Sequence, residues 1–128
     1  MIVSLGNDLV QLSELRAVLE RRGERFLDRI LTSAEKAYCQ RKHAMLESVA
    51  ARFAAKEAVM KCLGTGWSQG VSWREIEVVR ERGGPPRIAL HGRTAEVARQ
   101  RGIGRILITL THTGDYAEAV ALAFAPGT

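Results

Sequence analysis

The sequence predicts an α+β fold in which helices pack on one antiparallel sheet. Three observations predict it. Helical spacing and helix stop signals fill the first half, from Ser13 to Gly66. After Gly70 the texture changes to short β-type runs separated by Gly- and Pro-rich turns. The chain also opens on an apolar, β-rich run containing Ile2, Val3, Leu5, Leu9 and Val10.

Size and composition set the frame. The 128 residues suffice for a single domain, 1–128, with one modest core. Aromatics make up only 5% of the chain, so the core must be thin, built from Ala, Val, Ile and Leu, which leaves room for burial by self-association. The net charge of +5, with arginine dominating, suits a partner rich in phosphate or carboxylate. Cys39 and Cys62 have no metal-ligand spacing, which points to a reduced cytoplasmic setting. No signal-type opening and no membrane-length apolar stretch is found, so no membrane partner is expected.

Taken in order, the first strand is expected to bend at Gly6-Asn7. Asp8 sits in it among apolar residues, although Asp is depleted in strands. Ser13–Arg22 reads as a helix with Leu15, Val18 and Leu19 on one side, broken by Gly23. Arg25–Leu31 resumes as a short helix. Thr32-Ser33-Ala34-Glu35 is a capping box that starts a third helix, through about Lys42.

Ser48–Gly66 is the organising helix: five Ala, no Pro, and no Gly until Gly64 and Gly66 stop it. Apolar residues occur nearly all round it, as on a buried helix. Four charges nevertheless lie on it: Arg52 and Lys56 on one edge, Glu57 and Lys61 on another. A carboxylate buried there must find a cation or a metal.

The second half alternates. Val71–Arg80 reads as a strand, the Gly83–Pro86 stretch as a tight turn, and Arg87–His91 as the returning strand of a hairpin. Gly92–Arg101 is a short helix with Ala95, Val97 and Ala98 inward. Arg105–Thr111 is a nearly continuous apolar strand, followed by His112 and a turn at Thr113-Gly114-Asp115. Tyr116–Phe124 is the last strand, and 126–128 form a tail.

Several residues could carry chemistry, and each has a plainer reading. Glu57 and Lys61 are spaced for a helix ion pair, or for a metal carboxylate beside a phosphate-facing ammonium. Asp8 is a turn former beside Gly6-Asn7, or a second carboxylate for the same ion. His112 suits an ordinary surface position as well as a site. Arg16, Arg21, Arg25 and Arg29 form a solvated basic face, or a docking surface for an acidic partner. Neither a P-loop nor a dinucleotide fingerprint is present. Two carboxylates and a lysine are what a Mg²⁺-assisted phosphoryl reaction needs.

The motifs Gly6-Asn7-Asp8, Arg52-Phe53-Ala54-Ala55-Lys56-Glu57-Ala58 with Lys61, Leu63-Gly64-Thr65-Gly66, and Leu110-Thr111-His112-Thr113 with Tyr116-Ala117 occur in this order. Together they resemble holo-acyl-carrier-protein synthase, the short single-repeat class of 4′-phosphopantetheinyl transferase. The resemblance spans essentially the whole chain. It implies the 4′-phosphopantetheinyl transferase fold and a homotrimer with active sites between subunits. It implies Mg²⁺-dependent transfer of 4′-phosphopantetheine from coenzyme A to a serine of an acyl carrier protein, with adenosine 3′,5′-bisphosphate released. Asp8 and Glu57 match metal ligands and Lys61 a residue beside the diphosphate; Glu57, or a metal-bound water, would accept the serine proton. Arg52, Gly64, Gly84, Pro86, His112 and Thr113 match positions around the nucleotide. Glu14 stands where an arginine often grips the carrier, so that role would pass to Arg16, Arg21, Arg25 or Arg29. The competing class is a basic nucleic-acid-binding module. Few aromatics and no recognised motif count against it, so no nucleic acid is expected.

Overall fold

The computed structural model describes residues 1–127; the last residue of the expected tail, 128, lies outside them. The order is β1 (Ile2–Gln11), α1 (Leu12–Arg22), α2 (Glu24–Ile30), α3 (Ser33–Arg41), α4 (Met45–Leu63), a 3₁₀ turn at Trp73–Glu75, β2 (Ile76–Arg80), β3 (Pro86–Leu90), α5 (Gly92–Gln100), β4 (Arg105–Thr113) and β5 (Tyr116–Phe124). The α+β class holds, with antiparallel pairing throughout.

The expected single sheet is two. One has the order β1-β5-β4, and the other is the β2-β3 hairpin. The reason is α5, which carries the chain away between β3 and β4, so those strands lie close without forming a ladder. The expected bend in β1 is also absent. The β1-β5 ladder runs unbroken from Ser4 to Gln11, and its one irregularity lies between Ile2 and Ser4.

Helix α4 lies across the three-stranded sheet. It starts at Met45, earlier than expected, and ends at Gly64, a left-handed C-cap with φ 74°. Small residues set the spacing. Ala54, Ala55 and Ala58 of α4 and Ala117, Ala119, Ala121 and Ala123 of β5 are all fully buried. Small side chains on both layers let helix and sheet approach closely. Gly6 is the extreme case: a Cβ there would lie 2.1 Å from the Ala58 carbonyl oxygen. β1 thus rests on the backbone of α4.

One charge on α4, Lys56, is buried for a structural reason, together with its partner Glu35 on α3. Lys56 is fully buried, and its Nζ donates to Glu35 Oε1 at 2.6 Å and to the Trp73 carbonyl at 2.9 Å. Burial pushes the Lys56 ammonium below its ordinary value, and the Glu35 charge pulls against that shift. Glu35 closes the capping box with Thr32, as expected, and also accepts the Val78 N–H at 2.7 Å. One carboxylate therefore ties α3, α4 and β2 together.

Among the described residues, nothing covers the other face of the three-stranded sheet. Val3, Leu5, Leu9 and Leu107 stand exposed on it. These positions alternate with the buried ones, as the period of two requires.

Candidate active site

The site forms where β1 crosses the C-terminal half of α4. The close approach at Gly6 brings the next inward side chain, Asp8, over the last turns of the helix. Lys61 Nζ donates to the Asn7 carbonyl at 2.8 Å and to Asp8 Oδ1 at 3.2 Å. Lys61 is therefore paired with Asp8, and the helix ion pair Glu57–Lys61 does not form.

Glu57, one turn earlier, is half-buried beside them. Its Oε2 accepts a hydrogen bond from Trp67 Nε1 at 3.0 Å. Burial raises the Glu57 carboxyl above the ordinary carboxylate value, and the Asp8 charge raises it further. The Trp67 N–H and the Lys61 ammonium act in the opposite direction. Asp8 and Glu57 thus feel each other's charge, with Lys61 between competing demands.

The donor set suits a hard divalent cation: two carboxylates, oxygen only, with an ammonium alongside. Among the described residues no group of three or more His, Cys, Asp or Glu side chains could cage a metal alone. Such an ion would have to complete its shell with water and substrate oxygens. That is how Mg²⁺ binds when it works on phosphates.

The remaining expected residues fall in three places. Gly64 caps α4 just beyond Lys61, with Arg101 packed on it; a Cβ there would lie 3.0 Å from the guanidinium. Arg52 is buried, with its guanidinium 4.1 Å from the centre of the Tyr38 ring and one nitrogen bonded to the Ser48 carbonyl. Its Nε is buried without a hydrogen-bond partner. Gly84 lies in the β2-β3 turn, and Pro86, the first residue of β3, lines an apolar groove of about 1120 Å³ between β3, α5 and β4. His112 and Thr113 lie within β4, not after it, pairing with Ala117 and Tyr116. Both are exposed. Among the described residues, no hydrogen bond or ion pair joins Gly84, Pro86, His112 or Thr113 to Asp8, Glu57 or Lys61.

The basic cluster is partly gathered. Arg21, Arg22, Arg25 and Arg29 line a cleft of about 690 Å³ with Trp67 and Trp73 on its wall. Arg29 lies 5.6 Å from the centre of the Trp73 ring. Arg16 is exposed on α1 but does not line the cleft; hydrogen bonding from Ser13 holds the Asp115 carboxyl below its ordinary value, and the Arg16 charge adds a smaller effect. Trp67 and Trp73 are the residues that the motif reading missed. Their only signal was position, just past the glycines that end α4.

A sequence model described as the 4′-phosphopantetheinyl transferase superfamily matches residues 4–121. The chain belongs to the 4′-phosphopantetheinyl transferase superfamily. This makes it an enzyme of the transferase class, as the motifs implied. A holo-[acyl-carrier-protein] synthase of Desulforudis audaxviator is 48% identical over 126 residues, covering 98% of this chain and 95% of the relative. The crystal structure of holo-[acyl-carrier-protein] synthase from Neisseria meningitidis superposes with a TM-score of 0.90 at 30% identity, covering 97% of this chain and 99% of that one. The Helicobacter pylori synthase, solved in complex with coenzyme A, gives a TM-score of 0.82 at 27% identity over 94% of this chain and 99% of that one. Among the described residues of this transferase, no helix is long and apolar enough to cross a membrane.

Proposed function

We propose that the chain is a holo-acyl-carrier-protein synthase: it moves the 4′-phosphopantetheine arm of coenzyme A onto a serine hydroxyl of an acyl carrier protein. The observation that carries this reading is the meeting of Asp8, Glu57 and Lys61 at one edge of α4. The serine oxygen forms a bond to the phosphorus that bears pantetheine. The bond from that phosphorus to the bridging oxygen breaks, and adenosine 3′,5′-bisphosphate leaves. Lys61, exposed and held by Asn7 and Asp8, offsets charge gathering on the leaving phosphate. Glu57 accepts the serine proton, and burial raises its affinity for that proton above the ordinary carboxylate level. Asp8 and Glu57 would hold a Mg²⁺, which supplies Lewis-acid charge and a template for the diphosphate when bound.

Around this centre, Gly64 and Arg52 serve the nucleotide from α4, and Gly84 and Pro86 serve it from the hairpin turn. His112 and Thr113 extend it at the end of β4. Their separation from Asp8 within one chain, and the uncovered apolar sheet face, support a homotrimer whose sites lie between subunits. The cleft of Arg21, Arg25 and Arg29, with Arg16 beside it, receives an acidic carrier protein by charge complementarity. We place the enzyme in the cytoplasm, serving fatty-acid synthesis.

Intact-mass analysis of an apo-carrier protein after incubation with the enzyme, coenzyme A and Mg²⁺ tests the reading. A mass gain equal to the phosphopantetheine arm is expected. Unchanged carrier, together with a salt-sensitive shift of random DNA, would favour the nucleic-acid module instead.

A further inference from the structure

Glu57 is held by a donor that its motif does not supply. Trp67 is 66% exposed, yet its indole N–H is committed to Glu57 Oε2 at 3.0 Å. The Trp73 indole N–H is buried without a hydrogen-bond partner, and it too favours the charged form of this carboxylate. The two rings pack against each other with centroids 5.3 Å apart. An exposed indole gains little by burial, so packing alone does not explain why Trp67 is held where it is.

The loop that carries Trp67 is itself pinned. Gly64, Gly66, Gln69 and Gly70 all have positive φ. Gln69 is non-glycine, so its left-handed backbone needs support from elsewhere. That support comes from α5 and the residue after it: Arg93 Nε donates to the Gln69 carbonyl at 3.2 Å, and Arg101 Nη2 to its side-chain oxygen at 3.2 Å. Ser68 Oγ also donates to the Thr65 carbonyl at 2.6 Å. The loop is thus fixed at both ends of the indole it presents.

Resting on the function proposed above, we propose that Trp67 is a positioning residue: its indole N–H fixes the Glu57 carboxylate beside Asp8 and Lys61, with the Trp73 ring packed behind the indole. A carboxylate held by one oxygen cannot rotate freely, so its other oxygen keeps a defined direction for a serine proton or a cation. Trp67 also forms part of the wall of the basic cleft. A carrier protein seated there covers the indole and removes water from the bond. The bond strengthens as the local dielectric falls. Arrival of the second substrate therefore tightens the base that serves it.

Trp67→Phe keeps an aromatic wall and removes the donor. With saturating coenzyme A and carrier protein, kcat is expected to fall about ten-fold, the loss of one charge-assisted hydrogen bond. KM for coenzyme A should stay within about two-fold, because the bond is not to that substrate. A wild-type kcat, or a change confined to KM, overturns the positioning role. A second readout needs no turnover. In a Trp73→Phe background Trp67 is the sole tryptophan, and Glu57→Gln should shift its fluorescence emission. An unmoved emission overturns the contact itself. If the parent enzyme transfers nothing, the reaction assignment fails and the catalytic role fails with it. The fluorescence comparison still decides whether Trp67 holds Glu57.

Discussion

Gly6→Ala probes the joint on which the site is built. The added Cβ would meet the Ala58 carbonyl oxygen at 2.1 Å, the Cys62 nitrogen at 3.0 Å and the Lys61 Cβ at 3.1 Å. An ordinary carbon–oxygen contact needs about 3.3 Å, so β1 must retreat by roughly 1 Å. The obstacle is helix backbone, which cannot swing aside as a flexible side chain can. Overpacking of this kind costs about 1–3 kcal/mol, and the backbone obstacle places Gly6→Ala at the upper end. For a chain of this size that is a fall in Tm of about 5–12 °C by calorimetry. The same retreat carries Asp8 away from Lys61 and Glu57. A displacement of about 1 Å at a reacting centre costs roughly 100-fold in rate. Transfer assayed well below the lowered Tm should therefore show a loss that unfolding does not explain. A variant with unchanged Tm and turnover would refute the claim that this close approach positions the site.

Other perturbations separate scaffold from chemistry. Lys56→Met strands the buried Glu35 carboxylate and should cost about 3–5 kcal/mol in urea unfolding, far more than a helix-surface change. Glu57→Gln should raise Tm at pH 8 while abolishing transfer. The sign follows from the raised Glu57 carboxyl: the folded state binds that proton more tightly, so stability falls as pH climbs from the unfolded carboxyl value through the raised folded one. The Tm gap between Glu57→Gln and the parent should close as pH is lowered below both values. Arg21→Glu with Arg25→Glu should cut kcat/KM for the carrier protein about ten-fold or more at low salt, and the deficit should shrink at high salt.

Much of the fold was legible because it is local. The capping box at Thr32 and Glu35, the glycine stop at Gly64 and the Tyr116–Phe124 strand each follow from neighbouring residues. What escaped was long-range. Helix α1 has no side-chain cap of its own; its first N–H groups are met by Asp115, whose carboxylate accepts Ser13 N at 3.0 Å from the far β4-β5 turn. Helix α5 is capped in the same way by Glu75. No window of sequence contains such pairs. The Gly6-Asn7 pair suggested a bend because glycine is permissive, but here glycine serves to bring backbone against backbone. At the site, Asp8, Glu57 and Lys61 were legible from motif and spacing. Their partners were not. Spacing favoured a Glu57–Lys61 pair, whereas tertiary contact gives Lys61 to Asp8 and Glu57 to Trp67.

Coenzyme A binding by calorimetry, with and without Mg²⁺, tests most directly whether Asp8 and Glu57 share one divalent ion at the diphosphate. Mg²⁺ should tighten binding to the parent enzyme by about ten-fold or more, and should have no such effect on Asp8→Asn or Glu57→Gln. Equal tightening in both variants would contradict a shared ion at this pair of carboxylates.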